Sequence, residues 1–235
     1  MLKEAATWIN LDKPVGISSA KAVAIVKRIT GAKKVGHGGT LDPIADGLLP
    51  IALNKATKTA EKLMSAQKKY FFRITFGEFR DTDDSEGIVI ESSAARPQAL
   101  DIISALPFFI GKISQTPSRF SAIKINGQRA YDLARQNVEF EVPAREIEIF
   151  SLKLITLNER FAELEAKCSK GTYIRSLARD LCKKMAVCGY VSKLTRLQVG
   201  KFSYNKRISL DALKAVHTYG ARFLDDSLLS LQDVL

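Results

Sequence analysis

The residues best suited to chemistry lie between 35 and 53, in VGHGGTLDPIADGLLPIAL. Four glycines, two prolines, one histidine and two aspartates are packed there between apolar runs. Gly36, Gly38 and Gly39 permit backbone conformations and close approaches that a Cβ forbids. Pro43 disfavours the helical region for Asp42, so this carboxylate is expected on a rigid turn rather than in a helix. A fixed aspartate beside a glycine run suits a nucleophile or general base facing a bulky substrate. The same residue types also make an ordinary loop, with Asp42 as a helix N-cap and Asp46 as a turn residue. Spacing alone leaves both readings open. A phosphate loop is excluded, because no G-x-x-x-x-G-K-S/T pattern follows the glycines.

The elements that must position this segment read as alternating strands and helices. Thr7–Leu11 has strand character. Ser18 and Ser19 offer an N-cap to AKAVAIVKRIT, whose Ala22, Val23, Ile25, Val26 and Ile29 share one face, with Gly31 as the stop. A second helix is expected over 54–64, a strand over 69–76, a loop over 80–87 and a helix from Pro97 to about Leu106. Residues 118–125 read as a strand and 128–136 as a short helix. Two strands follow, 146–156 and 161–168, the second with period-two alternation. Gly171–Val187 is the clearest helix, with Ile174, Leu177, Ala178, Leu181 and Met185 in one stripe and Arg175 and Arg179 on another flank. A last helix is expected over 209–216, capped by Ser209. Without a regular βαβ period, the expected fold is mixed α+β with a central antiparallel-rich sheet.

Six separated blocks carry a resemblance. Gly36–Pro50 reads G-H-x-G-T-L-D-P-x-A-x-G-x-L-P and closely resembles the catalytic motif of the bacterial tRNA pseudouridine synthase B family. NLDKPVGISS at 10–19 is similar to the family's L-D-K-P-x-G-x-S-S segment. Lys68–Tyr70 matches its K-x-Y, and TDDSEG at 82–87 its T-D-T-x-D-x-x-G loop. CSKGTYIRS at 168–176 and LTRL at 194–197 resemble its C-x-x-G-T-Y-I-R and L-x-R-L segments. The blocks occur in family order and span about 10–210.

The resemblance implies the pseudouridine synthase fold, a central antiparallel-rich mixed sheet flanked by helices. It implies isomerisation of uridine 55 in the T loop of tRNA to pseudouridine. The bond from uracil N1 to ribose breaks, the base turns, and C5 takes its place, with no cofactor and no metal. By position in the motifs, Asp42 is the essential nucleophile or base, Arg175 its paired cation and Tyr70 the aromatic stacking on the uracil. An exposed stack suits a flipped base. His37, Lys13 and Leu194 are implied in substrate binding. His37 fills the place the base leaves, Lys13 supports the site, and Leu194 closes the pocket against water. The implied partner is the T stem-loop of tRNA, bound by a monomer.

Two departures stand out. Asp46 occupies a position where the family usually has Thr or Ser. A second carboxylate four residues from Asp42 would raise its pKa if both faced one pocket, so Asp46 is expected to point away. After LDALKAV the chain reaches LDDSLLSLQDVL, where many family members continue into a C-terminal PUA domain. The expectation is one catalytic domain over 1–235.

Composition agrees with a polyanion partner. The 235 residues carry a net charge of +11, divided as +7 over 1–70, −1 over 71–140 and +5 over 141–235. No apolar run reaches the roughly 20 residues of a spanning helix and no secretory leader precedes the first strand, so no membrane partner and a cytoplasmic location are expected. Cys168, Cys182 and Cys188 are expected as small packing residues, and two histidines make a histidine-rich metal site improbable. Two rivals remain: an inactive tRNA-binding chaperone, and an acid–base hydrolase using Asp42 and Asp46. Retention of Asp42, Tyr70 and Arg175 argues against the first, and the absence of a nucleotide motif against the second.

Overall fold

A computed structural model of the chain describes residues 2–219 and 228–230. It opens with β1 (Thr7–Lys13), α1 (Ser19–Thr30), β2 (Val35–His37) and β3 (Asp46–Leu53). The short helix α2 (Ala60–Ser65) leads to β4 (Lys68–Phe76), the pair β5 (Glu78–Arg80) and β6 (Val89–Ser92), α3 (Ala99–Ala105) and β7 (Gly111–Gln115). Next come β8 (Lys124–Ile125), β9 (Gln128–Arg129), α4 (Ala130–Arg135), and the long strands β10 (Arg145–Leu157) and β11 (Phe161–Cys168). The order ends with α5 (Ile174–Lys184), β12 (Gly189–Val199), β13 (Phe202–Ser203), β14 (Ile208–Ser209), α6 (Leu210–Tyr219) and β15 (Leu228–Ser230). No described helix is long and apolar enough to cross a membrane.

The chain forms two compact units, Met1–Tyr70 with Leu194–Leu235, and Phe71–Lys193. In the first, β1 lies antiparallel to β3, with Trp8 opposite Ala52 and Lys13 opposite Gly47. β12 runs parallel to β3, pairing Thr195 with Asp46 and Arg196 with Gly47. β2 covers the far end of β3, and β14 and β15 flank β1. Trp8 is fully buried against Leu48, Ala52, Ala56, Leu63, Val199 and Phe202. Its ring meets Phe202 edge-on, 5.8 Å between centroids, a favoured aromatic geometry.

In the second unit the strands run β4, β11, β10, β7. β10 is antiparallel to both β11 and β7. Period-two patterning explains β4, whose Phe72, Ile74 and Phe76 are buried while the intervening residues stay half-exposed. The expected α+β class with a mixed, antiparallel-rich sheet is therefore what forms.

Local signals placed several elements well. Ser18 caps α1 through a bond to Lys21 N–H, and Gly31 ends it in the left-handed region at φ 65°. Ser209 caps α6 by accepting from Ala212 N–H. Others differ. Residues 54–64 begin as a 3₁₀ turn, Asn54–Thr59, before α2. α3 starts at Ala99, two residues after Pro97, and α5 at Ile174, because Gly171 sits at φ 83°. The strand expected over 118–125 is mostly turn. Only Lys124–Ile125 pairs, with Gln128–Arg129, about Asn126 and Gly127 at φ 49° and 88°. Asn-Gly with both residues at positive φ is the strongest short hairpin signal, and it overrides the β-propensity of its neighbours. β3 and β12 have no strand expectation in the sequence reading. β3 is a continuous apolar run buried on both faces, which periodicity alone cannot distinguish.

Candidate active site

Asp42 stands just before a turn closed by Ala45 N–H donating to the Asp42 carbonyl at 3.1 Å. The expectation of a rigid turn holds, and its rigidity comes from three directions. From α1, Ser19 Oγ donates to Leu41 O at 2.9 Å and accepts from Leu41 N–H at 2.8 Å. From the β1–α1 connection, Gly16 N–H donates to Pro43 O at 2.8 Å. From β12, Arg196 donates Nε to Leu48 O (2.7 Å), Nη1 to Thr40 O (3.1 Å) and Nη2 to Gly39 O (3.0 Å). Arg196 is 1% exposed, so a buried guanidinium ties the glycine run to β3 on both sides of Asp42. Gly39, at φ 127°, turns its carbonyl into this fork in a conformation other residues rarely adopt. Gly47 is needed because a Cβ there would lie 2.5 Å from the Arg196 carbonyl oxygen.

Lys13 has no exposed surface. Its Nζ donates to Pro14 O (2.8 Å) and Ile17 O (2.9 Å), and burial pushes its pKa down to about 8. The carboxylates of Asp46 and, more weakly, Asp42 oppose that shift, while the Arg196 cation adds to it. Lys13 and Asp42 thus share one electrostatic environment. Asp46 belongs to it too. It has a buried Oδ1 without a hydrogen-bond partner among the described residues, and its charge acts on Lys13 more strongly than that of Asp42.

His37 accepts from Gly39 N–H through Nδ1 at 3.2 Å, leaving Nε2 to carry the proton of a neutral ring. Burial, then the Arg196 charge, lowers its pKa and favours that neutral form. Tyr70 and Leu194 also lie in the first unit, both buried, at 9% and 5% exposure. Tyr70 therefore sits on the buried face of β4 rather than as an exposed stack, because strand alternation groups it with Lys68 and Phe72.

Arg175 lies in the second unit, at the start of α5. That start is fixed by Gln115, whose amide donates to Tyr173 O (3.1 Å) and accepts from Tyr173 N–H (2.8 Å). Arg175 is 4% exposed. It donates to Thr82 O (2.8 Å) and Phe120 O (3.2 Å), and lies 3.4 Å from Asp84 Oδ2. Arg196 and Asp84 are the residues that the sequence reading passed over. Both lie inside recognised blocks, and for Arg196 the available signal was a charged residue between the leucines of LTRL.

This mixed sheet with its flanking helices is the pseudouridine synthase fold. Solved relatives include a Cbf5-Nop10-Gar1 complex, with TM-score 0.79 and 26% identity over 99% of this chain and 62% of that one. An H/ACA RNP bound to a substrate RNA containing 2′-deoxyuridine superposes with TM-score 0.75 at 24% identity, covering 97% of this chain and 60% of that one. The family described as TruB family pseudouridylate synthase (N terminal domain) matches residues 27–174. The tRNA pseudouridine synthase B of Caulobacter vibrioides is 46% identical over 97% of this chain and 73% of its own length. That of Bartonella bacilliformis is 50% identical over 88% of this chain and 65% of its own length. The chain belongs to the TruB family of pseudouridylate synthases, and spans about two thirds of the length of these relatives.

Proposed function

We propose that this chain converts uridine to pseudouridine in tRNA, at position 55 of the T loop, with Asp42 as the essential group. The observation that carries the reading is the Asp42 turn itself, held by Ser19, Gly16 and Arg196 so that one carboxylate is presented in a fixed place. Preorganisation of this kind is what a covalent or general-base step requires, since reorganisation during the reaction would raise its barrier. The reaction is an isomerisation. The N1–C1′ bond breaks and a C5–C1′ bond forms, and the proton lost from C5 is balanced by one gained at N1, so no cofactor is needed.

A uridine in a structured loop must leave its stack first, at a cost of a few kcal/mol. His37 is suited to fill the gap: neutral, flanked by glycines, and able to stack without bringing a charge into the helix. Tyr70 and Leu194 supply apolar walls, and Lys13 supplies buried positive charge near Asp42. The names of the relatives from Caulobacter and Bartonella support tRNA as the substrate class.

Incubating the protein with unmodified tRNA transcript and mapping pseudouridine tests the reading. Wild type should modify one uridine in the T loop, while Asp42→Asn should give no product and bind the transcript with affinity within about twofold of wild type. Binding without product in wild type would instead favour the chaperone.

A further inference from the structure

Two consecutive aspartates meet two arginines one helical turn apart on α5. Asp84 pairs with Arg175 at 3.4 Å, and Asp83 with Arg179 at 2.9 Å. Each arginine then reaches the same short segment. Arg179 Nη2 donates to Thr116 O at 2.8 Å, and Arg175 Nη2 to Phe120 O at 3.2 Å. That segment leaves β7 and begins the 116–142 excursion, which returns to the sheet in β10. Ser118 also holds it, donating from Oγ to Thr82 O at 3.5 Å.

Asp83 is a non-glycine residue at φ 63°, a conformation that costs energy for an L side chain. Asp83 and Asp84 are both buried, at 8% and 3% exposure, and the Asp83 backbone is anchored through its bonds to Arg80 O and Val191 N–H. An open cleft of about 630 Å³, lined in part by Asp83, Arg119, Phe140 and Arg179, borders Thr116. Pro117 and Ser118 are buried, and the ends of the segment, at Thr116 and Phe120, are held by the two arginines.

We propose that Asp83 and Arg179 are a positioning pair for Arg175, acting through the 116–120 segment that both arginines hold. The proposal rests on the reading that Arg175 serves uridine isomerisation. If Arg179 lets go of Thr116, the Phe120 carbonyl four residues on moves, and Arg175 loses one of its fixed partners. The pair also makes the site sensitive to acid. Burial raises the Asp83 pKa to about 6 against the opposing charges of Arg179 and Arg175, with Asp180 adding to the rise. Asp81, Arg119, Glu141 and Lys183 line the same cleft. As pH falls through that value the carboxylate becomes neutral and its hold on Arg179 weakens.

The experiment combines turnover of unmodified tRNA transcript with tryptic cleavage of the RNA-free protein at Arg119 and Lys124. Asp83→Asn and Arg179→Gln should each lower kcat roughly tenfold or more with KM within about twofold, and each should speed cleavage. The double variant should be no worse than either single one, and Arg179→Lys should recover part of the loss. The acid limb of the wild-type kcat profile should carry a titration near pH 6 that Asp83→Asn lacks. Additive losses in the double variant overturn the proposal. So does unchanged kcat in Asp83→Asn, whether or not cleavage quickens. An inactive wild type overturns the activity reading instead, and is told apart because every variant is then equally silent.

Discussion

Lys13 shows how much one buried side chain is governed by its surroundings. A lysine with no exposed surface loses the hydration that favours its charge, and two carbonyls with two carboxylates restore part of it. Its pKa of about 8 lies below the 10.5 of the unfolded chain. Between those values the unfolded state binds a proton that the folded state does not, so stability rises with pH across this window. Lys13→Met should lack that rise. Urea unfolding of both proteins between pH 8 and 10.5 checks it, and parallel curves would show that burial of Lys13 is not the cause. Asp46 takes part because its carboxylate opposes the shift more strongly than that of Asp42, which gives the replacement of the usual Thr or Ser a consequence.

At the scale of elements, the Asp42 turn is held by partners on α1, the β1–α1 connection and β12. The β12 contribution joins the most groups, because one buried guanidinium satisfies three carbonyls. Arg196→Met keeps most of the apolar stem and removes every one of those bonds, leaving the carbonyls of Gly39, Thr40 and Leu48 without these donors. The expected loss is about 1–3 kcal/mol, the cost of leaving the buried Leu48 carbonyl unsatisfied. Denaturant midpoints measure it. Turnover should fall further than stability alone explains, since the turn presenting Asp42 is no longer fixed, while affinity for tRNA transcript should hold.

Across the whole molecule, charge follows the division into units. Met1–Tyr70 with Leu194–Leu235 carries +9, and Phe71–Lys193 carries +2. Lys33 and Lys34, just past α1, are exposed members of the basic first unit. If they contact phosphates, replacing both by glutamine should flatten the dependence of log K on log salt by about 0.7–0.9 per lysine. The site of modification should not change, because phosphate contacts position RNA without reading its sequence. A filter-binding titration of tRNA over a range of salt concentrations decides it, and an unchanged slope would assign these lysines to solvent.

Short-range physics made much of this legible from the sequence. Pro43 forces Asp42 out of a helix, Ser18 and Gly31 bound α1, and alternation marks β4 and β11, because each depends on neighbours a few residues away. The Asn-Gly hairpin at 126–127 was equally local and could have been read. What only the tertiary structure decided involves buried charge. Arg196 reaches carbonyls 156 and 157 residues away, and Arg175 and Arg179 find partners more than 90 residues back in the chain. A charge withdrawn from water must be matched by whatever the fold brings beside it, and no local pattern records which residues those are. Hence the sequence by itself determined that an aspartate is presented on a turn, and folding decided which cations and carbonyls hold it there.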